Sequence, residues 1–160
     1  MNFTRFGPLF AAVLLTSIVS ASAGGARVKV ALLDDAPVYH WRVLKSRYSH
    51  DIDRVYSDDI DRALVLREFK RRFHTLPEHF VDEALQREIA EQYNGSKARL
   101  EGSLQRSGAS MEDYRQFLAE EITLTAFPIF IVRHSKQTDS LAARAKWIAS
   151  LRQNAKIKWL

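Results

Sequence analysis

The stretch Asn154-Ala-Lys-Ile-Lys-Trp-Leu160 decides the fold. Ala155, Ile157 and Trp159 alternate with Lys156 and Lys158, the period of a strand with one apolar and one charged face. A strand of this length cannot stand alone. The best partner lies near the other end of the chain, at Arg27-Val-Lys-Val-Ala-Leu-Leu33. The two ends are therefore expected to meet in one small sheet, with a helical body between them.

The residues before Arg27 set the compartment. Arg5 gives a positive start, and Phe6 to Ser20 is apolar apart from Gly7, Pro8, Thr16 and Ser17. Ala21-Ser22-Ala23 has the small-x-small form that signal peptidase cuts. The apolar run is short and interrupted for a membrane span. The expectation is a secretory signal, residues 1–23, cleaved after Ala23; an uncleaved N-terminal anchor is the alternative. No Cys occurs anywhere in the chain, so stability must come from a hydrophobic core.

Cleavage would leave 137 of the 160 residues, enough for a single domain, 24–160, with a core of its own. It would also leave 23 basic against 19 acidic residues. That excess is mild and dispersed except at Lys70-Arg71-Arg72, so nucleic acid is not an expected partner.

Between the terminal strands the pattern is helical. Asp34-Asp35 reads as a turn and Ala36-Pro37-Val38-Tyr39 as a short returning edge strand. His40 to Arg47 is a candidate helix. Ser57 is the expected cap of the next helix, which carries Asp58, Asp59 and Asp61 in its first turn and ends near Phe73. Thr75-Leu-Pro-Glu78 has the form of a capping box and opens a helix to about Tyr93, stopped by Asn94-Gly95. Ser96 to Arg106 is a short helix. Ser110-Met-Glu-Asp113 is a second capping box, opening a long helix to about Val132. That helix is amphipathic at first, then apolar nearly all round from Leu124 to Val132, with Pro128 inside it. Such a segment is buried or meets a partner, and Pro128 should kink it. A last helix, Asp139 to Gln153, leads into the closing strand.

No catalytic constellation is visible. His40, His50, His74, His79 and His134 form no metal-ligand spacing. Asp51, Asp53, Asp58, Asp59 and Asp61 lack the glycine and terminal glutamate of a calcium loop, which leaves helix capping as their role. No serine sits in a nucleophile elbow, and no glycine-rich loop would cradle phosphate. The expectation is a protein without cofactor or metal, and not an enzyme.

Three segments carry a resemblance: IDRALVLREFKRRFHTLPEHFVDEALQREIAEQY at 60–93, NGSKARLEGSLQRSGASMEDYRQFLAEEI at 94–122, and WIASLRQNAKIKWL at 147–160. In this order they resemble the N-terminal chaperone domain of SurA-type periplasmic peptidyl-prolyl isomerases. Ile60, Leu64, Leu66, Glu68, Lys70, Arg71, Pro77, Val81, Asp82 and Glu83 match one family motif. Leu100, Leu104, Gly108, Ser110, Tyr114, Arg115, Glu121 and Ile122 match the next, and Leu33-Asp-Asp-Ala-Pro-Val38 resembles the family's turn before its second strand. In that family one or two parvulin isomerase domains separate the long helix from the closing helix and strand. Here the interval is only about Arg133 to Thr138.

The resemblance thus implies a mostly α fold with a small β-sheet: a helical SurA N-terminal-like domain closed by pairing of its N- and C-terminal strands, without the isomerase. It implies a periplasmic holdase for unfolded polypeptides, such as outer-membrane proteins. Phe80, Tyr93, Tyr114, Phe127, Phe130 and Trp147 are the candidate peptide-binding residues, with Phe130 leaning towards the core and Phe127 shared between core and client. The competing reading is an envelope assembly subunit that docks through 124–132 on itself, as a homodimer, or on one fixed protein partner.

Overall fold

The computed structural model describes residues 26–135 and 138–160, so the expected signal segment lies outside the described residues. The elements are β1 (Arg27–Leu33), β2 (Ala36–Trp41), α1 (Ser49–Val55), α2 (Asp59–Phe73), α3 (Glu78–Gln92), α4 (Lys97–Arg106), α5 (Met111–His134), α6 (Leu141–Arg152) and β3 (Ile157–Trp159). The fold is mostly helical, with one three-stranded antiparallel sheet in the order β2-β1-β3. The two ends of the described chain meet as expected. Ala31, Leu32 and Leu33 stand opposite Trp159, Lys158 and Ile157.

Asp34 and Asp35 have φ of 47° and 66°, the left-handed geometry a two-residue hairpin needs. Aspartate tolerates this region when its carboxylate is locally hydrogen-bonded. Asp34 goes further. Its N–H donates to the Lys156 carbonyl at 2.9 Å, and its carboxylate accepts the Lys156 N–H at 2.8 Å. Arg67 of α2 bonds the same carboxylate. The Lys156 N–H, then Arg67, hold the Asp34 carboxyl below its ordinary range. One residue thus joins the β1–β2 turn, the approach to β3, and α2.

On the inner face of the sheet, Ala31, Leu33 and Val38 pack on Ile60 and Leu64 of α2, with Ala155 and Ile157 partly buried beside them. Trp159 lies in the expected register but is 56% exposed. The helix α2 packs on β1 and β2, and Ile157 of β3 joins the same cluster. A second cluster joins α3 and α4 to the first half of α5, through Val81, Leu85, Leu100, Leu104, Phe117 and Leu118. A third joins α1, α2 and α6 to its second half, through Ile52, Tyr56, Val65, Leu124, Phe127 and Ile148.

Three local expectations need correction. Residues His40–Arg47 are not a helix. His40 and Trp41 extend β2 opposite Val28 and Arg27, and the Arg42 N–H continues the ladder to the Ala26 carbonyl at 2.9 Å. The cap of α2 is Asp58, whose carboxylate accepts the Asp61 N–H at 3.0 Å; Ser57 instead gives its hydroxyl to Asp61. Thr75 forms no capping box, and Pro77 stands at the cap of α3 without a side-chain bond. The remaining stops and starts follow the sequence. Asn94 and Gly95 take φ of 51° and 76°, and the Gly95 N–H closes on the Ile89 carbonyl at 2.8 Å. Ser96 and Ser140 cap α4 and α6, and Ser110 with Asp113 forms the full capping box of α5.

Pro128 lies within α5, which is helical from Met111 to His134. Having no N–H, it leaves the Leu124 carbonyl, four residues earlier, without its helical donor. The Tyr56 hydroxyl donates to that carbonyl at 2.6 Å from the end of α1, and burial drives its pKa upward. The break in the ladder is thus the point where α1 docks on α5.

Two outcomes follow. Tyr56→Phe leaves the Leu124 carbonyl unpartnered in the core and should cost about 1–3 kcal/mol. Pro128→Ala returns an N–H to the same carbonyl, so Tyr56→Phe should cost less in that background. Urea titration of the four proteins measures the coupling, and strictly additive costs would break the assignment. Deleting Asn154–Leu160 strips β1 of one edge and removes the Asp34 clasp. It should take several kcal/mol from a typical total of ~5–15, and a truncated chain that melts like the full one would contradict the closure.

Candidate functional site

Where α2 ends, the second half of α5 and the helix α6 pass beside it, and aromatic rings gather. Phe69 and Phe73 are one turn apart on α2, with ring centroids 5.4 Å apart. Phe127 of α5 meets Phe69 at 5.4 Å, Phe73 at 5.9 Å and Trp147 of α6 at 5.6 Å, each edge to face. Phe130 meets Phe73 at 5.7 Å, and the His134 ring lies 3.8 Å from Phe130. Edge-to-face pairs are favoured because a positive ring edge meets a negative ring face.

The chain of rings runs from core to surface. Phe127 is 3% exposed, whereas Phe130 is 39% and Phe73 47% exposed. Beside Trp147 a groove of about 230 Å³ opens between α5 and α6, lined by Ile131, Val132, Ala143 and Trp147 with Ser135, Ser150 and Lys146. The outcome for Phe127 and Phe130 reverses the expectation. Phe127 faces both α2 and α6 and is core; Phe130, three residues on, turns to the edge.

The six candidate residues do not converge. Phe127, Phe130 and Trp147 belong to this patch. Tyr114 is 1% exposed within the α3–α4–α5 cluster, its hydroxyl 3.4 Å from Glu88, and half-buried Tyr93 packs against that cluster. Phe80 is exposed on α3, next to the His79 ring at 4.1 Å. Phe69, Phe73 and His134 were not among the candidates. The sequence signal for them is the Phe69/Phe73 spacing of one turn around Lys70-Arg71-Arg72, which by itself reads as a helix end.

Charged residues stand at the ends of these helices. Glu68 accepts from Arg71 and Arg72, each at 2.7 Å, and the Arg71 bond leads in pushing its carboxyl down to about 2. Arg133 ends α5, and Lys146 borders the groove. Asp139 binds Arg144 at 2.7 Å and reaches Arg133 at 3.8 Å.

A second concavity, about 200 Å³, lies between β2, α2 and α5, with Tyr39, Trp41, Arg27, Arg62, Glu120 and Glu121 in its walls. Its carboxylates are already engaged. Glu120 accepts the Trp41 indole N–H at 2.7 Å, and Glu121 accepts the hydroxyls of Ser46 and Ser49. Burial raises the pKa of both. Glu120 holds the end of β2, and Glu121 fastens the segment after it, as Glu88 does by accepting the Arg47 N–H at 2.8 Å. The acidic residues near α1 and α2 are likewise spent on capping and pairing: Asp53 with Arg62, Asp59 with His40, Asp58 and Asp61 with Arg152. Among the described residues no group of three or more His, Asp or Glu could hold a metal, and no helix is long and apolar enough to cross a membrane.

Neither a family model nor a curated protein matches this chain.

The division between core and edge predicts two sizes of effect. Phe127→Ala should destabilise by about 3–5 kcal/mol. Phe73→Ser and Phe130→Ser, whose rings leave 47% and 39% in water, should each cost clearly less than Phe127→Ala. Chemical denaturation distinguishes them, and equal losses at Phe127 and Phe130 would contradict the placement.

Proposed function

We propose that this chain is a periplasmic holdase that shields apolar and aromatic segments of unfolded proteins, outer-membrane proteins among them, without isomerase activity. The observation that carries the reading is the exposed pair Phe73 and Phe130, continuous with Phe127, Trp147 and the apolar groove beside it. Exposed rings continuous with an apolar groove offer a surface that a client side chain can cover. The secretory pattern of residues 1–23 and the sequence resemblance to SurA-type chaperone domains support the same reading. The finer fold assignment, a SurA N-terminal-like domain, belongs to this proposal too.

The assembly-subunit reading asked residues 124–132 to present a broad apolar face. Leu124, Phe127, Pro128 and Val132 are buried within the fold, which leaves Phe130 as the segment's large exposed ring. That balance favours transient client contacts over a fixed interface at this helix.

Dilution of a urea-unfolded outer-membrane protein, followed by light scattering, is the test. The protein without its signal segment should suppress aggregation at near-stoichiometric ratios. The Phe73→Ser/Phe130→Ser double variant should lose most of that suppression while keeping a cooperative melt. Absence of suppression by the parent protein, with one partner co-purifying at fixed stoichiometry, would favour the assembly reading instead.

A further inference from the structure

We infer that the aromatic patch prefers client segments whose aromatic residues are flanked by carboxylates; this rests on the proposed holdase reading and names its substrate class. The argument is charge complementarity. Arg71 and Arg72 close α2, Arg133 closes α5, and Lys146 borders the groove beside Trp147, whereas Lys70 faces the β1–β2 hairpin beside Pro37 and Val38. Against these four cations stands one carboxylate, Glu68. Glu68 is already bound by Arg71 and Arg72, and Asp139 is matched by a further cation, Arg144. Lys146 forms no ion pair among the described residues.

The helix ends do not absorb this excess. Each C-terminus carries the equivalent of about −0.5 charge, so α2 and α5 together offset roughly one of three surplus cations. The patch therefore combines apolar rings with a positive rim. An extended chain places alternate side chains on one face, roughly 7 Å apart. An aromatic side chain at the rings or in the groove thus leaves neighbouring side chains free to reach the rim. Carboxylates there gain, and ammonium groups are repelled. An anionic lipid surface offers the same charge. The recess between α5 and α6, however, receives inserted side chains, whereas a bilayer takes up protruding ones.

The test is a fluorescence-anisotropy titration of the protein without its signal segment. The probes are three unstructured peptides with the same dye and the same Phe and Tyr positions, flanked by Glu, by Gln or by Lys. Vesicles of phosphatidylglycerol form a fourth arm. The Glu peptide should bind about tenfold more tightly than the Gln peptide, and the Lys peptide more weakly than either. The gap between Glu and Gln should close in 0.5 M salt, because exposed charges are screened. Lys146→Gln should narrow that gap. Equal binding of the Glu and Gln peptides overturns the charge preference and leaves the holdase reading standing. Failure of all three peptides to bind overturns both. Vesicle binding tighter than that of every peptide overturns the polypeptide as occupant.

Discussion

A central strand needs both of its edges paired, and in this chain the second partner comes from more than a hundred residues away. The strand β1 gets one neighbour from its own hairpin and the other from β3. The clasp is Asp34, which exchanges backbone and side-chain bonds with Lys156 while Arg67 reaches it from α2. Because β3 must arrive there, the preceding helix α6 must lie along α2. Arg152 then reaches back to the N-terminus of α2, bonding Asp58 at 2.9 Å and Asp61 at 2.8 Å. That placement brings Trp147 against Phe127. The aromatic patch is therefore a consequence of how the sheet closes.

The second organising element is α5, which touches every other helix. It serves two separate clusters with its two halves, and polar side chains along it fix what packs there. Glu121, 3% exposed, binds Ser46 and Ser49; Glu88 of α3, 2% exposed, binds the backbone of Arg47. A buried carboxylate is tolerable only with its lone pairs occupied. These two are occupied by the segment leading into α1, so they set where that helix begins. Tyr56 at its other end then meets the carbonyl freed by Pro128.

What the sequence revealed and what it hid divide along the same line. The alternation at 154–160, the Asn94-Gly95 stop and the Ser110 capping box are local signals, and each acts within a few residues of itself. The strand continuing through His40 and Trp41 was hidden because its determinants are distant: the Trp41 indole bonds Glu120, 79 positions on. Periodicity marked Leu124 to Val132 as apolar, but it could not say that α2 and α6 would cover Phe127 and leave Phe130 at the rim. Phe73 was hidden for the same reason. A phenylalanine at a helix end reads as a boundary until its neighbours are known.

The size of the patch limits what it can do. Two phenylalanines, each with roughly 40% of about 200 Å² still accessible, leave some 160 Å² to bury, worth about 4 kcal/mol at 25 cal/mol per Å². A free energy of that size corresponds to a dissociation constant of about 1 mM, before any ordering cost. Rings alone therefore give weak, quickly reversible contacts. Under the proposed holdase reading, that suits holding an unfolded chain, which must later be released. It also means that useful affinity has to come from a second source. Several aromatic segments on one client would provide it through repeated rebinding. The cations at the ends of α2 and α5 and along α6 would provide it through charge, with the rings fixing where the chain sits and the rim deciding which chains stay longest.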